Sequence, residues 1–243
     1  MLTGLKLLLK RVVINNRMEI QQTQSQSHGF KFENEIRTHV FGLHIKNNDT
    51  EIHDISCSEN KFNPSENISI KVSCNGDIGC GDIVRFHNYD FSQKNTIIVG
   101  IYKQINENQK LIHVLYEVDY NKNLHKLLFG EIGEEEISYY VNLVKSIPPG
   151  QVKKEDKLYL KLKAHYQKGF GMRIRINPKV DSKTQRRVQA TIPKLEKLLE
   201  ENPEFVISKI TGQPLFLRGI EINSVIESKR RIRNLKDPVE LTN

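Results

Sequence analysis

The sequence predicts an α/β fold in which helices flank a mixed central β-sheet. Two segments rich in Ile, Val and Tyr, residues 95–104 and 110–120, flank a short polar turn and predict a β-hairpin. A third segment, NISIKVS at 67–73, alternates apolar and polar residues as a half-buried strand does. Helices are predicted around these strands. One ends at Gly42, because apolar residues recur at helical spacing before it, and another covers 134–147, which begins with three glutamates.

Three further elements are predicted after the break at Pro148-Pro149-Gly150. The segment GMRIRINPK (171–179) alternates apolar residues with arginines, which predicts a strand with one basic face. An amphipathic helix that Pro203 ends is predicted for LEKLLEENPEF (195–205). A hairpin is predicted for PLFLRGIEINSVIE (214–227).

Length and composition indicate a soluble globular protein without a membrane span. The chain has 243 residues, of which 37% are hydrophobic and 27% are charged. No apolar run approaches the ~18–20 residues that a spanning helix needs. The three cysteines do not form an even disulfide set, so we expect a reducing, cytoplasmic location. A zinc site built on His53, Cys74 and Cys80 is disfavoured, because no second cysteine pair accompanies the two cysteines.

Charge is distributed unevenly along the chain and suggests three segments. Residues 1–149 carry 16 Lys and Arg against 18 Asp and Glu, whereas residues 150–243 carry 21 against 11. We therefore expect an N-terminal extension at 1–27, a metal-binding catalytic core at 28–150, and a basic, polyanion-binding portion at 151–243 that packs with the core. Residues 1–17, which contain no acid, are open to interpretation as a targeting sequence, a basic amphipathic helix or an upstream extension of the reading frame.

The stretch from Ile52 to Arg85 carries the residues that point to chemistry. Asp54 follows a short apolar segment, Lys71 lies in the strand NISIKVS, and Asp82 begins the segment DIVRF. Hydrolysis of a phosphodiester needs carboxylate oxygens to hold a hard divalent cation, and Mg²⁺ prefers a few carboxylates plus waters. A lysine beside that cation can orient the attacking water and offset developing negative charge.

These motifs in this order resemble the type II restriction endonucleases of the PD-(D/E)XK nuclease superfamily. The resemblance rests on four features in order: HGFKFENEIR (28–37), Asp54, SIKVS (69–73) and GDIVRF (81–86). It implies a restriction-endonuclease-like core, Mg²⁺ as cofactor, double-stranded DNA as substrate and a homodimer that cuts both strands. In that family an N-terminal helix often supplies a glutamate to the site, which here would be Glu33 or Glu35.

The resemblance also assigns roles within the site. Asp54 would bind the metal, Lys71 would position the water, and the Ile70 carbonyl would complete part of the metal shell. The sequence departs from the family pattern at Ser69, where an acid usually lies two residues before the lysine. Some members carry serine there and take the carboxylate from a later helix, for which Asp82 is the candidate and Asp77 the alternative.

A basic segment of the C-terminal portion is the candidate DNA-binding surface. Arginine can bond guanine and glutamine can bond adenine through two contacts, although most basic side chains at such interfaces meet phosphate. The segment NPKVDSKTQRRVQ (177–189) resembles one that contacts the target in the same enzymes. The candidates are Arg173, Arg175, Lys179, Lys183, Gln185, Arg186, Arg187 and Gln189.

Two other functions remain open from the sequence. A structure-specific repair or recombination nuclease would use the same chemistry on branched or damaged DNA. A catalytically inactive relative would bind nucleic acid through its basic portion and cut nothing.

Overall fold

A computed structural model of the chain describes residues 27–45, 53–148, 158–180 and 188–228. Its helices flank a curled mixed sheet, which confirms the α/β class predicted from the sequence. The helices are α1 (Ser27–Glu35, extended by a π-helical turn at Ile36–Val40), α2 (Ile83–His87), α3 (Lys122–Phe129), α4 (Glu134–Ser146), α5 (Leu158–Gly169) and α6 (Leu195–Glu201). The strands are β1 (Glu66–Ser73), β2 (Ile78–Asp82), β3 (Lys94–Gln104), β4 (Gln109–Asp119), β5 (Arg175–Pro178), β6 (Val188–Ile192), β7 (Val206–Thr211), β8 (Phe216–Leu217), β9 (Ile220–Glu221) and β10 (Val225–Glu227). Among the described residues, no helix combines the length and apolarity that crossing a membrane requires.

The central sheet is built around the β3–β4 hairpin. Strand β1 pairs with β3 in parallel, β4 pairs with β3 in antiparallel fashion, and β7 and β10 both pair antiparallel with β4. Side chains alternate between the two faces, so that Ile98 packs with the α1 cluster whereas Ile97 and Val99 pack with the helices of the other face. The predicted hairpin at 95–120 is therefore confirmed.

Helix α1 packs closely on one face of this sheet. Phe32 and Ile36 are fully buried there, and a Cβ placed on Gly100 of β3 would lie 2.8 Å from Phe32 Cζ. Glycine at this position thus permits the close approach of helix and strand. The helix expected ahead of Gly42 is confirmed, and the backbone turns at Gly42 with a φ of 71°.

A second, smaller sheet of order β2-β6-β5 completes the structure around the site. All its pairings are antiparallel, and its apolar side chains join the larger hydrophobic cluster together with residues from α3, α4 and α5. Met172, Ile174 and Ile176 are buried while Arg173 and Arg175 point outward, as the alternation predicted. Residues that precede position 150 in the sequence and residues that follow it both contribute side chains to this cluster.

Other expected elements also appear, together with several that the sequence did not predict. Helix α4 matches the helix predicted at 134–147, and α6 matches the predicted amphipathic helix. Strands β8 and β9 form a short hairpin within the predicted segment 214–227, whose last residues form β10 and pair with β4 instead. Five of the described elements were not predicted from the sequence: helices α3 and α5 and strands β2, β6 and β7. The expectations for residues 1–17 lie outside the described residues.

Candidate active site

A cleft of about 490 Å³ opens beside the middle of β1. Helix α1 contributes Phe30 and Glu33, the chain ahead of β1 contributes Asp54, and β1 contributes Lys71. Strand β2, helix α2 and strand β6 close the remaining sides. Apolar and polar groups both line the cleft, so it can receive a ligand that has both polar and apolar surface.

The Lys71 ammonium lies between two oxygen atoms at the centre of this cleft. Its Nζ is 2.9 Å from Asp54 Oδ2 and 2.9 Å from the Ile70 carbonyl oxygen. The same Asp54 oxygen accepts a hydrogen bond from the Ile70 amide. The sequence had predicted that Asp54 and Lys71 meet, and the structure brings them together in an ion pair whose side chains are 18% and 30% exposed.

Backbone pairing explains why Asp54 reaches Lys71 across 17 positions of sequence. Ile55 and Ile68 form an isolated antiparallel bridge, with hydrogen bonds of 3.0 and 2.8 Å in the two directions. Arg37, which is buried, donates from α1's π-helical extension to the Asp54 carbonyl oxygen. The aspartate is thus held from both sides, by β1 and by the N-terminal helix.

The oxygen atoms around Lys71 Nζ are of the chemical type that binds hard cations. A carboxylate oxygen and a carbonyl oxygen converge on a single positive charge, the Lys71 ammonium. Within the described ranges, no group of three or more His, Cys, Asp or Glu side chains is arranged to hold a metal ion. Two oxygen donors fit Mg²⁺, which keeps several of its waters, better than they fit an ion that requires a full protein cage. Glu33 is a further carboxylate that lines the same cleft.

Asp82 and Asp77, the two candidates for the carboxylate missing at Ser69, do not line the cleft. Asp82 caps helix α2, where its Oδ1 accepts hydrogen bonds from the Val84 amide at 3.0 Å and the Arg85 amide at 3.2 Å. Asp77 pairs with Arg175 at 2.8 Å and accepts a hydrogen bond from the Lys194 amide. Partial burial opposes ionisation of Asp77, but these hydrogen bonds outweigh it and lower its pKa.

The two glutamates of α1 are placed differently. Glu33 faces the cleft, whereas Glu35 accepts a hydrogen bond at 2.8 Å from the Asn223 amide and ties the helix to the segment ahead of β10. Of the pair proposed from the sequence, only Glu33 lines the same cleft as Asp54 and Lys71.

Ser69, which stands where the family pattern has an acid, begins a short chain of polar side chains. Ser69 Oγ lies 3.5 Å from Tyr89 Oη, which lies 3.0 Å from His53 Nδ1. Burial raises the pKa of Tyr89 to about 12 and lowers the pKa of His53, against an opposing effect of Asp54. Tyr89 therefore stays a neutral hydroxyl at the edge of the cleft. Sequence reasoning missed Tyr89 and weighed His53 only as a zinc ligand, although the position of His53 next to Asp54 placed it near the site.

The proposed DNA-binding residues are only partly described. Gln189 of β6 lines the cleft and lies opposite Asp82 in the β2–β6 register. Arg173 and Arg175 form ion pairs with Glu201 and Asp77, and Lys179 is exposed. The remaining candidates lie outside the described residues: Lys183, Gln185, Arg186 and Arg187.

Comparison of the chain with protein-family models, with curated proteins and with solved structures gives no match. The residues of the cleft itself therefore indicate what the chain can do.

Proposed function

We propose that this chain is a Mg²⁺-dependent endonuclease that cuts double-stranded DNA at specific sites, as a type II restriction endonuclease does. The observation that carries the proposal is the position of Lys71 Nζ, 2.9 Å from both the Asp54 carboxylate and the Ile70 carbonyl, within a cleft. Most surface lysines extend into solvent, because an exposed ion pair contributes little stability. A lysine held against a carboxylate inside a cleft is instead placed where it can act on a bound ligand.

The roles follow from the chemistry of each group. Asp54 and the Ile70 carbonyl would hold the metal, and Glu33 would add a carboxylate from α1. When bound, Mg²⁺ supplies a polarised phosphate and a water of lowered pKa. Lys71 directs its ammonium protons toward the attacking oxygen and toward the negative charge that develops on the phosphate. Tyr89 Oη, held by His53, adds a neutral donor at the edge of the cleft.

The substrate side of the proposal depends on charge and on side-chain type. Arg85 and Gln189 line the cleft, and arginine and glutamine are suited to phosphate and base edges respectively. The excess of Lys and Arg over acids in residues 150–243 favours binding to a polyanion. We propose a homodimer, because cutting two antiparallel strands suits a two-fold arrangement.

The test is incubation of the purified protein with plasmid DNA in Mg²⁺ or in EDTA. Discrete fragments that appear only in Mg²⁺ are the expected result. Nicking without sequence preference would replace the proposal by a structure-specific nuclease. DNA binding that does not depend on metal, with no cleavage, would replace it by a non-catalytic DNA-binding protein.

A further inference from the structure

Phe30 is an exposed aromatic side chain inside the candidate active site. It lies in α1, lines the same cleft as Asp54 and Lys71, and is 53% exposed. Single exposed apolar residues are common on protein surfaces, so exposure alone has no functional meaning. The position is what distinguishes Phe30, because its apolar ring lines the same cleft as the ion pair of Asp54 and Lys71.

The geometry of α1 explains why the ring cannot join the core. Phe32, two positions later, is fully buried against the sheet, and two positions correspond to a rotation of about 200° around a helix. Glu33 is three positions from Phe30, so the two residues share a helix face, and both line the cleft. The start of the helix is held by His28, whose ring contacts Tyr102 edge-on with centroids 5.3 Å apart. Phe30 is therefore presented to the cleft by a helix that is anchored on both sides of it.

We infer that Phe30 stacks on a nucleobase of DNA bound in the cleft, an inference that rests on the proposed nuclease function. A backbone phosphate near Lys71 brings its own base, or a neighbouring base, to the walls of the cleft. Every base has a flat π-face, so an aromatic ring can stack on it without hydrogen-bond readout. Where the base remains in a duplex, such a ring acts as a wedge beside a base step. Phe30 thus adds affinity and positions the strand, while the charged groups act on the phosphate.

Stacking has a signature that phosphate contacts lack. Loss of a phosphate contact reduces the dependence of binding on salt, because fewer counterions are released. Loss of a stacked ring lowers affinity at every salt concentration and leaves that slope unchanged. We expect Phe30→Ala to weaken DNA binding about tenfold, measured in Ca²⁺ to suppress cleavage. Phe30→Tyr, which retains the ring, should bind within about twofold of the parent.

The chain contains no tryptophan, so a single introduced one reports its surroundings directly. In Phe30→Trp the fluorescence should be quenched when DNA is added in Ca²⁺, because indole stacks on the base. The matched control is Tyr139→Trp, since Tyr139 of α4 is 59% exposed and does not line the cleft. Its fluorescence should not respond to DNA.

The outcomes separate this inference from the function on which it rests. If the parent protein binds and cuts DNA but Phe30→Ala binds equally well and Phe30→Trp shows no quenching, the stacking inference is wrong and the nuclease stands. A reduced salt slope in Phe30→Ala would also overturn it. If the parent protein neither binds nor cuts DNA, both proposals fail. Circular dichroism of Phe30→Ala should match the parent, because the ring contributes little to the core.

Discussion

Replacement of Arg218 should destabilise the fold strongly, because two buried carboxylates depend on its charge. Its guanidinium donates to Glu117 at 2.8 Å and to both oxygens of Glu66 at 2.8 and 3.0 Å. The side chains of Glu66 and Glu117 are only 2% and 9% exposed. Arg218 follows β8 and thereby ties the small hairpin to the first and fourth strands of the central sheet.

The substitution Arg218→Asn removes the guanidinium and introduces a residue that tolerates the left-handed backbone at this position. Arg218 and Gly219 have φ angles of 51° and 83°, a left-handed pair that asparagine followed by glycine adopts readily in hairpin turns. The change therefore relieves about 1 kcal/mol of backbone strain. Removing one partner of a buried ion pair costs about 3–5 kcal/mol, because the other charge stays uncompensated. Lys94, 3.4 Å from Glu66, remains as a partial substitute. We expect a net loss of about 2–3 kcal/mol in the free energy of unfolding.

The dependence of this loss on pH gives a second check. Burial alone would raise the pKa of Glu66, but hydrogen bonds from Arg218 and Thr96 outweigh it and hold the pKa at about 2. A depressed pKa means that the pair stabilises the fold above the ordinary value of 4.5, and that this stability is lost as pH falls toward about 2. The difference between parent and Arg218→Asn should therefore shrink below pH 4.5.

The assay is urea denaturation of both proteins at several pH values, with the m-value as a check on the unfolding transition. Combining Arg218→Asn with Glu66→Gln and Glu117→Gln should recover part of the loss, because neutral amides need no cation. A loss below about 1 kcal/mol at neutral pH would show that the network contributes no more than a surface ion pair.

Two further substitutions test the surroundings of the cleft. Asp82→Ala should cost about 1 kcal/mol in urea denaturation by removing the cap of α2. Asp82→Ser can still cap and should retain cleavage, so loss of cleavage in the folded serine variant would return Asp82 to the metal shell. Tyr89→Phe should also cost about 1 kcal/mol in urea denaturation, because half-buried His53 loses its hydrogen-bond partner. Unchanged stability of that variant would mean that the Tyr89–His53 contact is not maintained in solution.

Local patterns were enough to predict most helices and strands. The β3–β4 hairpin follows from residue types and spacing within about 25 positions, and the helix that ends near Gly42 follows from its apolar period. The pairing of β7 and β10 with β4 could not be predicted, because it joins residues about 100 positions apart. For the same reason the Arg218 network leaves no trace in any local segment.

The site was predictable where sequence neighbours also set the geometry. Asp54 and Lys71 lie on either side of the isolated bridge between Ile55 and Ile68. The local segment 56–67 is therefore enough to bring their side chains together. Asp82 was harder to assign, since an aspartate ahead of an apolar segment is equally typical of a metal ligand and of a helix cap. The contact between Tyr89 and His53 spans 36 positions and depends on the tertiary fold alone.

The role of Lys71 is tested most directly by single-turnover cleavage of plasmid DNA by Lys71→Ala, with binding measured separately in Ca²⁺. The matched control is Lys103→Ala, because Lys103 is an exposed lysine of the neighbouring strand β3 outside the cleft. Loss of a group that stabilises transition-state charge should slow cleavage by about 100-fold or more. DNA affinity should change little, because the chain carries 37 Lys and Arg residues. Cleavage by Lys71→Ala at a rate comparable to the parent and the Lys103→Ala control would contradict the assignment of the active site.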